Sequence, residues 1–330
     1  MITHFLKVFL ITFTLGIINI AMGQTVEKVV KVGILVPLQH KAMDEIVSGF
    51  ETTLTQQYSQ KIEFEVKNAQ SDLNLQRAIL QEFKNSNIDM IAPIGTVATQ
   101  MTLNMIKNKP IISIAALYSE AERDKRSFKN VTGVFDEIDV ATQIDYLLKA
   151  IPSCHKLTLI HSPSEKVYPA IKKLKHIAKD KGLEVQILMA QSLPDLYTIS
   201  RRIDKNTDVI FVLKDNLIVS GIRTLAKTAE KLHIPLMTSD QGSVKEGAAF
   251  ALGVEEQQIG VNAAFLAVQV LKGIPVGDLP LQTMTDYSVF INPKILQKQN
   301  LTLEQLENAA KTLGYKAVVL STAKVLKNNK

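Results

Sequence analysis

The chain has no tryptophan and a single cysteine, Cys154, among its 330 residues. One thiol cannot close an internal disulfide, so packing and hydrogen bonds must hold the fold. Cys154 sits at the start of an apolar strand-like run. Its neighbour His155 would point to the opposite face of that strand, so it does not activate the thiol. A buried, inert cysteine is the expectation. The six histidines are dispersed, which argues against a metal site. No cofactor is expected. The signatures G-x-S-x-G, G-x-x-x-x-G-K-[ST], H-E-x-x-H and G-x-G-x-x-G are all missing, which weakens enzyme readings. Charge of one sign is not concentrated either. The formal net charge is +6 with the basic residues scattered, the mark of a solvated surface and not of a nucleic-acid footprint.

Long apolar runs are confined to the first residues. Lys7 precedes an apolar stretch from Val8 to Ile20, followed by Ala21, Met22 and Gly23 before Gln24. These are the three parts of a secretory signal peptide, spanning 1–23. The run is short for a membrane span, which needs about 20 apolar residues. No cysteine lies at the cleavage point, so a free periplasmic protein is expected and not a lipid-tethered one. The remainder suits two domains of about 100–200 residues each.

What the chain does have is a regular alternation. Short Val- and Ile-rich runs read as strands at Val29–Pro37, Ile62–Lys67, Met90–Ile94, Ile111–Ala115, Leu157–His161, Glu184–Met189, Val209–Leu213 and Leu236–Thr238. Continuous apolar runs mean strands covered on both faces, the habit of parallel sheets. Helix-period segments lie between them, such as Asp44–Gln57, Leu73–Asn85, Tyr168–Lys181 and Val219–Leu232. Two doubly wound α/β units are predicted, at about Val29–Ala115 and Lys156–Thr238. Lys129–Asp139 reads as a connection between them. Past Gly242, a run at Ala248–Val254 precedes a long helix from Gln257 to Lys272. The tail reads as two helical stretches around Val318–Leu320.

In open α/β sheets, ligands sit outside the carboxyl ends of the strands. The residues to inspect there are Gln39 and His40, Gly95 and Thr96, Tyr118, Ser162, Asp215 and Asn216, and Asp240. Thr96 or Thr99 can present a hydroxyl beside the N–H groups of a helix start, which suits a carboxylate; each can also simply cap that helix. Asp215 or Asp240 can accept from a ligand ammonium or cap the next helix.

Several segments together resemble a known family. They are Val32–Val36 with His40–Asp44, Asn68–Asp72, Asp89–Thr96 with Ala98, Val131–Val134, Val212–Asn216, Ser239–Val244, Ala251–Gly253 and Leu271–Gly273. In order and spacing they resemble the ABC-transporter substrate-binding proteins that include tryptophan and tyrosine importers. The resemblance implies two doubly wound parallel-sheet lobes joined by three hinge crossings. The N-terminal lobe would hold 24–135 plus about 248–284, and the C-terminal lobe 136–247 plus about 285–330. It also implies a small amino-acid-like ligand trapped by hinge closure, an ABC permease as partner, and a monomer that catalyses nothing and binds no nucleic acid. Within it, Thr96 would hold the ligand carboxylate. Asp215 with Asn216 would meet the ammonium. Gln39 and His40 would line the first lobe, with Phe135 and Asp136 near a crossing. Glu256 and Gln257 depart from the family, which usually carries an aromatic pair there. A sensing module without transport is the alternative, and a hydrolase using Ser162 and His161 a more distant one.

Overall fold

The computed structural model describes residues 29–39, 41–116, 129–164 and 167–320. The first α/β unit runs β1 (Val30–Val36), α1 (Lys41–Gln57), β2 (Ile62–Asn68), α2 (Leu73–Asn85), β3 (Met90–Pro93), α3 (Thr96–Met105), β4 (Ile111–Ile114) and β5 (Val131–Phe135). The second runs α4 (Val140–Ala150), β6 (Lys156–His161), α5 (Tyr168–Lys181), β7 (Glu184–Met189), α6 (Leu193–Ser200) and β8 (Val209–Val212). It continues through α7 (Asn216–Ser220), α8 (Ile222–Leu232), β9 (Leu236–Thr238), α9 (Gln241–Lys245) and β10 (Phe250–Gly253). Then follow α10 (Glu256–Leu271), β11 (Gln282–Thr283), β12 (Ser288–Ile291), α11 (Pro293–Leu296), α12 (Leu303–Thr312) and β13 (Lys316–Val319).

The strands form two sheets. The six-stranded sheet has the order β2-β1-β3-β4-β5-β11 and is parallel throughout. The seven-stranded sheet has the order β7-β6-β8-β9-β10-β12-β13; only the last two strands oppose the rest. The central strands β3, β4, β6 and β8 are buried at every residue; β3 and β8 are unbroken apolar runs, as burial on both faces requires, while β4 and β6 also bury Ser113, Lys156, Thr158 and His161. The edge strands β2 and β7 are only half-buried, and they carry Glu63, Glu65 and Glu184 outward. Helix starts are written locally. Asp72 accepts from the N–H groups of Asn74 and Leu75, and Thr302 with Gln305 closes a capping box on α12.

The chain passes between the sheets three times: after β5, after β10, and between β11 and β12. Helix α10 follows the second passage and packs along α1 of the first sheet. Three expectations need correction. Lys129–Asp139 is not merely a connection, because Val131–Phe135 forms a fully buried strand between β4 and β11. Thr132 and Gly133 interrupt its apolar run, yet Gly133 is what lets β5 lie against β4: a Cβ there would fall 2.1 Å from the Ser113 carbonyl oxygen. The return to the first lobe does not begin near Ala248. Phe250 and Ala251 still pair with Met237 and Thr238 of β9, so the passage comes after Gly253. In the tail, Leu303–Thr312 is helical as expected, but Val318 lies in a strand paired with β12 and not in a helical stretch. The signal-peptide reading, His40 and Tyr118 lie outside the described residues. No helix among the described residues is long and apolar enough to cross a membrane.

Candidate functional site

The loops at the carboxyl ends of the strands are built differently on the two sides. On the first sheet, β3 ends at a turn through Gly95, whose φ of 86° only glycine adopts readily. Its N–H donates to the Ile114 carbonyl at 2.8 Å, and helix α3 starts at once with Thr96. Thr99 is buried beneath the turn, its hydroxyl 3.2 Å from that of Ser113. Gln39 is pinned on the adjoining loop: it donates to Asp44 at 2.8 Å and accepts from Asn68 at 3.0 Å.

On the second sheet, Asp215 is a clamp. Its Oδ2 accepts the Ser162 N–H at 2.6 Å, tying the β8 loop to the β6 loop. Its Oδ1 accepts from Leu217 and Ile218 and caps α7, whose first residue is Asn216. The residue is 3% exposed. Asp240 is similarly engaged: its oxygens accept from the Ser243 N–H at 2.7 Å and hydroxyl at 2.6 Å, capping α9. His161 directs Nδ1 at the Ser162 carbonyl at 2.7 Å and not at its hydroxyl, so this contact is not a nucleophile–base pair.

The two sides meet at Asp136 and Lys214. Asp136 directly follows the buried Phe135 at the end of β5, and Lys214 follows Leu213 at the end of β8. The Lys214 ammonium donates to Asp136 Oδ2, an ion pair from one sheet's strand ends to the other's. Beside it is a cavity of about 40 Å³ whose walls include Asp136, Gln143, Val167, Lys214 and Ser239. Ser239 Oγ holds this wall together by sharing its one proton between Gln143 Oε1 at 3.2 Å and the Val212 carbonyl at 3.1 Å. Neither Thr96 nor Asp215 lines the cavity.

The charge at this junction is unbalanced. The Lys214 side chain is still 39% exposed; desolvation works against its charge, but Asp136, Glu256 and Asp240 more than offset it and hold its pKa above the ordinary lysine range. Glu256, at the start of α10, is pushed up to about 7. Desolvation is the main cause; Asp136, Asp240 and Glu45 add to it, and Lys214 opposes. Of the residues singled out from sequence, Ser162 and Asp215 touch each other, and Asp136 reaches across the lobes. Lys214, Gln143 and Glu256 were not singled out. Lys214 carried a usable signal, as a cation directly after a buried strand; Gln143 and Glu256 carried none beyond the departure already noted.

Comparison with known proteins places this architecture. Residues 31–312 match the family described as ABC transporter substrate binding protein. An uncharacterised protein of Rickettsia prowazekii is 41% identical over 275 residues, covering 83% of this chain and 87% of that one. A tyrosine-binding protein of Clostridioides difficile is 28% identical over 294 residues, covering 84% and 83%. Among solved structures, an ABC domain from Streptococcus pneumonia in complex with L-Trp superposes with a TM-score of 0.73 at 23% identity, covering 88% of this chain and 100% of that one. The fold and the span of the match agree, and the chain belongs to the ABC transporter substrate-binding protein family.

Proposed function

We propose that this protein is the extracytoplasmic solute-binding component of an ABC importer, and that it captures a small amino-acid-like ligand between its two lobes. The observation that carries the reading is the Asp136–Lys214 ion pair. It joins the carboxyl end of one parallel sheet to that of the other, so the ligand-binding edges of two doubly wound sheets face each other. A solute held there touches both lobes and favours the closed arrangement by its differential contacts. On the first lobe, Thr96 opens α3 directly after the Gly95 turn, and the N-terminus of that helix suits a carboxylate. On the second, Ser162, Asn216 and Asp240 stand at the strand ends that face the first lobe, with Asp215 holding two of their loops in register. Phe135 and Asp136 close the base at the first crossing.

The tyrosine-binding relative and the L-Trp complex support an amino acid as the ligand class. The protein would act as a monomer in the periplasm, deliver its ligand to an inner-membrane ABC permease, and bind no nucleic acid. The test is a thermal-shift titration with the standard amino acids, paired with small-angle scattering. A true ligand raises the melting temperature in proportion to the logarithm of its concentration and contracts the scattering envelope. A protein whose melt and radius ignore every amino acid offered refutes the reading.

A further inference from the structure

Beside Glu137, which lines the cavity, four carboxylates belong to the strand ends and helix starts where the two lobes meet, and three of them are already bonded. Asp215 takes backbone N–H groups on both oxygens, Asp240 takes the Ser243 N–H and hydroxyl, and Asp136 takes the Lys214 ammonium. Glu256 differs. Its half-buried side chain makes no hydrogen bond and no ion pair among the described residues. It opens α10, the helix that carries the chain back across to pack on α1. It lies in electrostatic reach of Lys214, Asp136 and Asp240 at the junction and of Glu45 on α1. Glu45 has its own partner in Lys41 at 3.4 Å. On its own element, the preceding Glu255 is turned to Ser288 at 3.1 Å and Lys316 at 2.8 Å.

We propose that Glu256 receives the cationic group of the captured solute, which makes a protonated amine a requirement for tight binding; the inference rests on the solute-binding reading above. Of these four, the geometry leaves it as the one with neither oxygen engaged by a described residue. Lys214 is one cation set against Asp136, Asp240 and Glu256, so the site stays negative after Lys214 has paired with Asp136. Such a site attracts an amine and repels a second carboxylate. A desolvated carboxylate without a partner is costly to ionise, and an incoming ammonium supplies the missing partner. With its pKa near 7, Glu256 is largely ionised only at alkaline pH. Capture of a cation near neutral pH therefore drives the Glu256 proton into solvent. Affinity is full above about pH 7 and falls as pH drops, by up to about tenfold per pH unit for one linked proton.

The test uses the full mature chain with the twenty standard amino acids, putrescine and spermidine as probes. Any probe that shifts the wild-type melt is carried to calorimetry at pH 5.5, 7 and 8.5, beside its N-acetylated form. Support is a Kd that weakens severalfold to tenfold per unit below pH 7, heats that depend on buffer ionisation, and loss of binding on N-acetylation. Glu256→Gln should weaken binding at least tenfold at pH 8.5 and flatten the pH profile. Lys214→Met, which removes the one cation holding the Glu256 pKa down, should move the profile's midpoint to higher pH; a purely structural lysine would not. Wild-type affinity and slope in Glu256→Gln, or full binding of the N-acetylated probe, overturns this proposal alone. No shift with any probe overturns the solute-binding reading and this inference with it.

Discussion

The N–H of Ser162 donates to Asp215 Oδ2 across 2.6 Å, while Asp215 Oδ1 accepts from Leu217 and Ile218. One carboxylate thus fixes the strand-end loops of both β6 and β8 and the start of α7. Asp215→Ala strips an N-cap and leaves buried N–H groups without acceptors. The expected loss is about 2–4 kcal/mol of folding stability, read as a lower urea midpoint. Asp215→Asn keeps an acceptor and should lose about half as much. If both variants unfold like wild type and only ligand affinity suffers, Asp215 contacts the solute directly and is not a clamp.

Glu256 carries a stability cost in the ligand-free protein. Its folded pKa of about 7 exceeds the unfolded value of 4.5, so the native state holds its proton longer. Stability attributable to this group is intact below pH 4.5, declines as pH rises to about 7, and stays low above that. Glu256→Gln removes the ionisation. The variant should be more stable than wild type by about 1–2 kcal/mol at pH 8, allowing for the half-buried setting, and equal to it at pH 4.5. Thermal melts at both values check the sign. A variant less stable at pH 8 would mean that the attraction of Lys214 outweighs desolvation.

Both lobes were legible because their strands are written as unbroken apolar runs: Met90–Ile94 and Val209–Leu213 differ from the observed strands by one residue at the C-terminal end. β5 was not legible, because Gly133 looks like a connector until Ser113 is seen pressed against it. β13 was missed for a related reason: Lys316–Val319 is short and largely exposed, and only its pairing with β12 makes it a strand. The site shows the same division. Asp215, Ser162 and Asp136 follow buried strands and can be found by position. Glu256 lies at no strand end of the first two units, and it comes within electrostatic reach of Lys214 and Asp136 only after the second passage between the sheets.

Cys154 tests whether the second lobe's core is closed. The thiol is buried, and desolvation with the nearby Asp208 pushes its pKa up to about 12. Thiolate is the reactive form, so native protein at pH 8 should leave a disulfide reagent or iodoacetamide unreacted for hours. Full reaction should appear in denaturant. Rapid labelling of the native protein would show that the start of β6 opens locally at low cost.

Helices α1 and α10 touch backbone to backbone, and that contact positions Glu256. A Cβ on Gly260 would fall 2.0 Å from the Ile46 carbonyl oxygen and 2.7 Å from the Phe50 nitrogen; one on Gly49 would fall 2.2 Å from the Gln257 carbonyl oxygen. No rotamer change relieves a clash with main chain, so Gly260→Ala must push the helices apart. The expected cost is about 1–3 kcal/mol, and Glu256, one turn earlier on the same helix, moves with it. Ligand affinity should therefore drop along with stability. Phe265→Ser on the same helix is the control, because that side chain is 47% exposed and its loss should leave both nearly unchanged. A Gly260→Ala variant that is destabilised yet binds with wild-type affinity and pH dependence would separate the helix contact from the binding site and leave Glu256 positioned by something else.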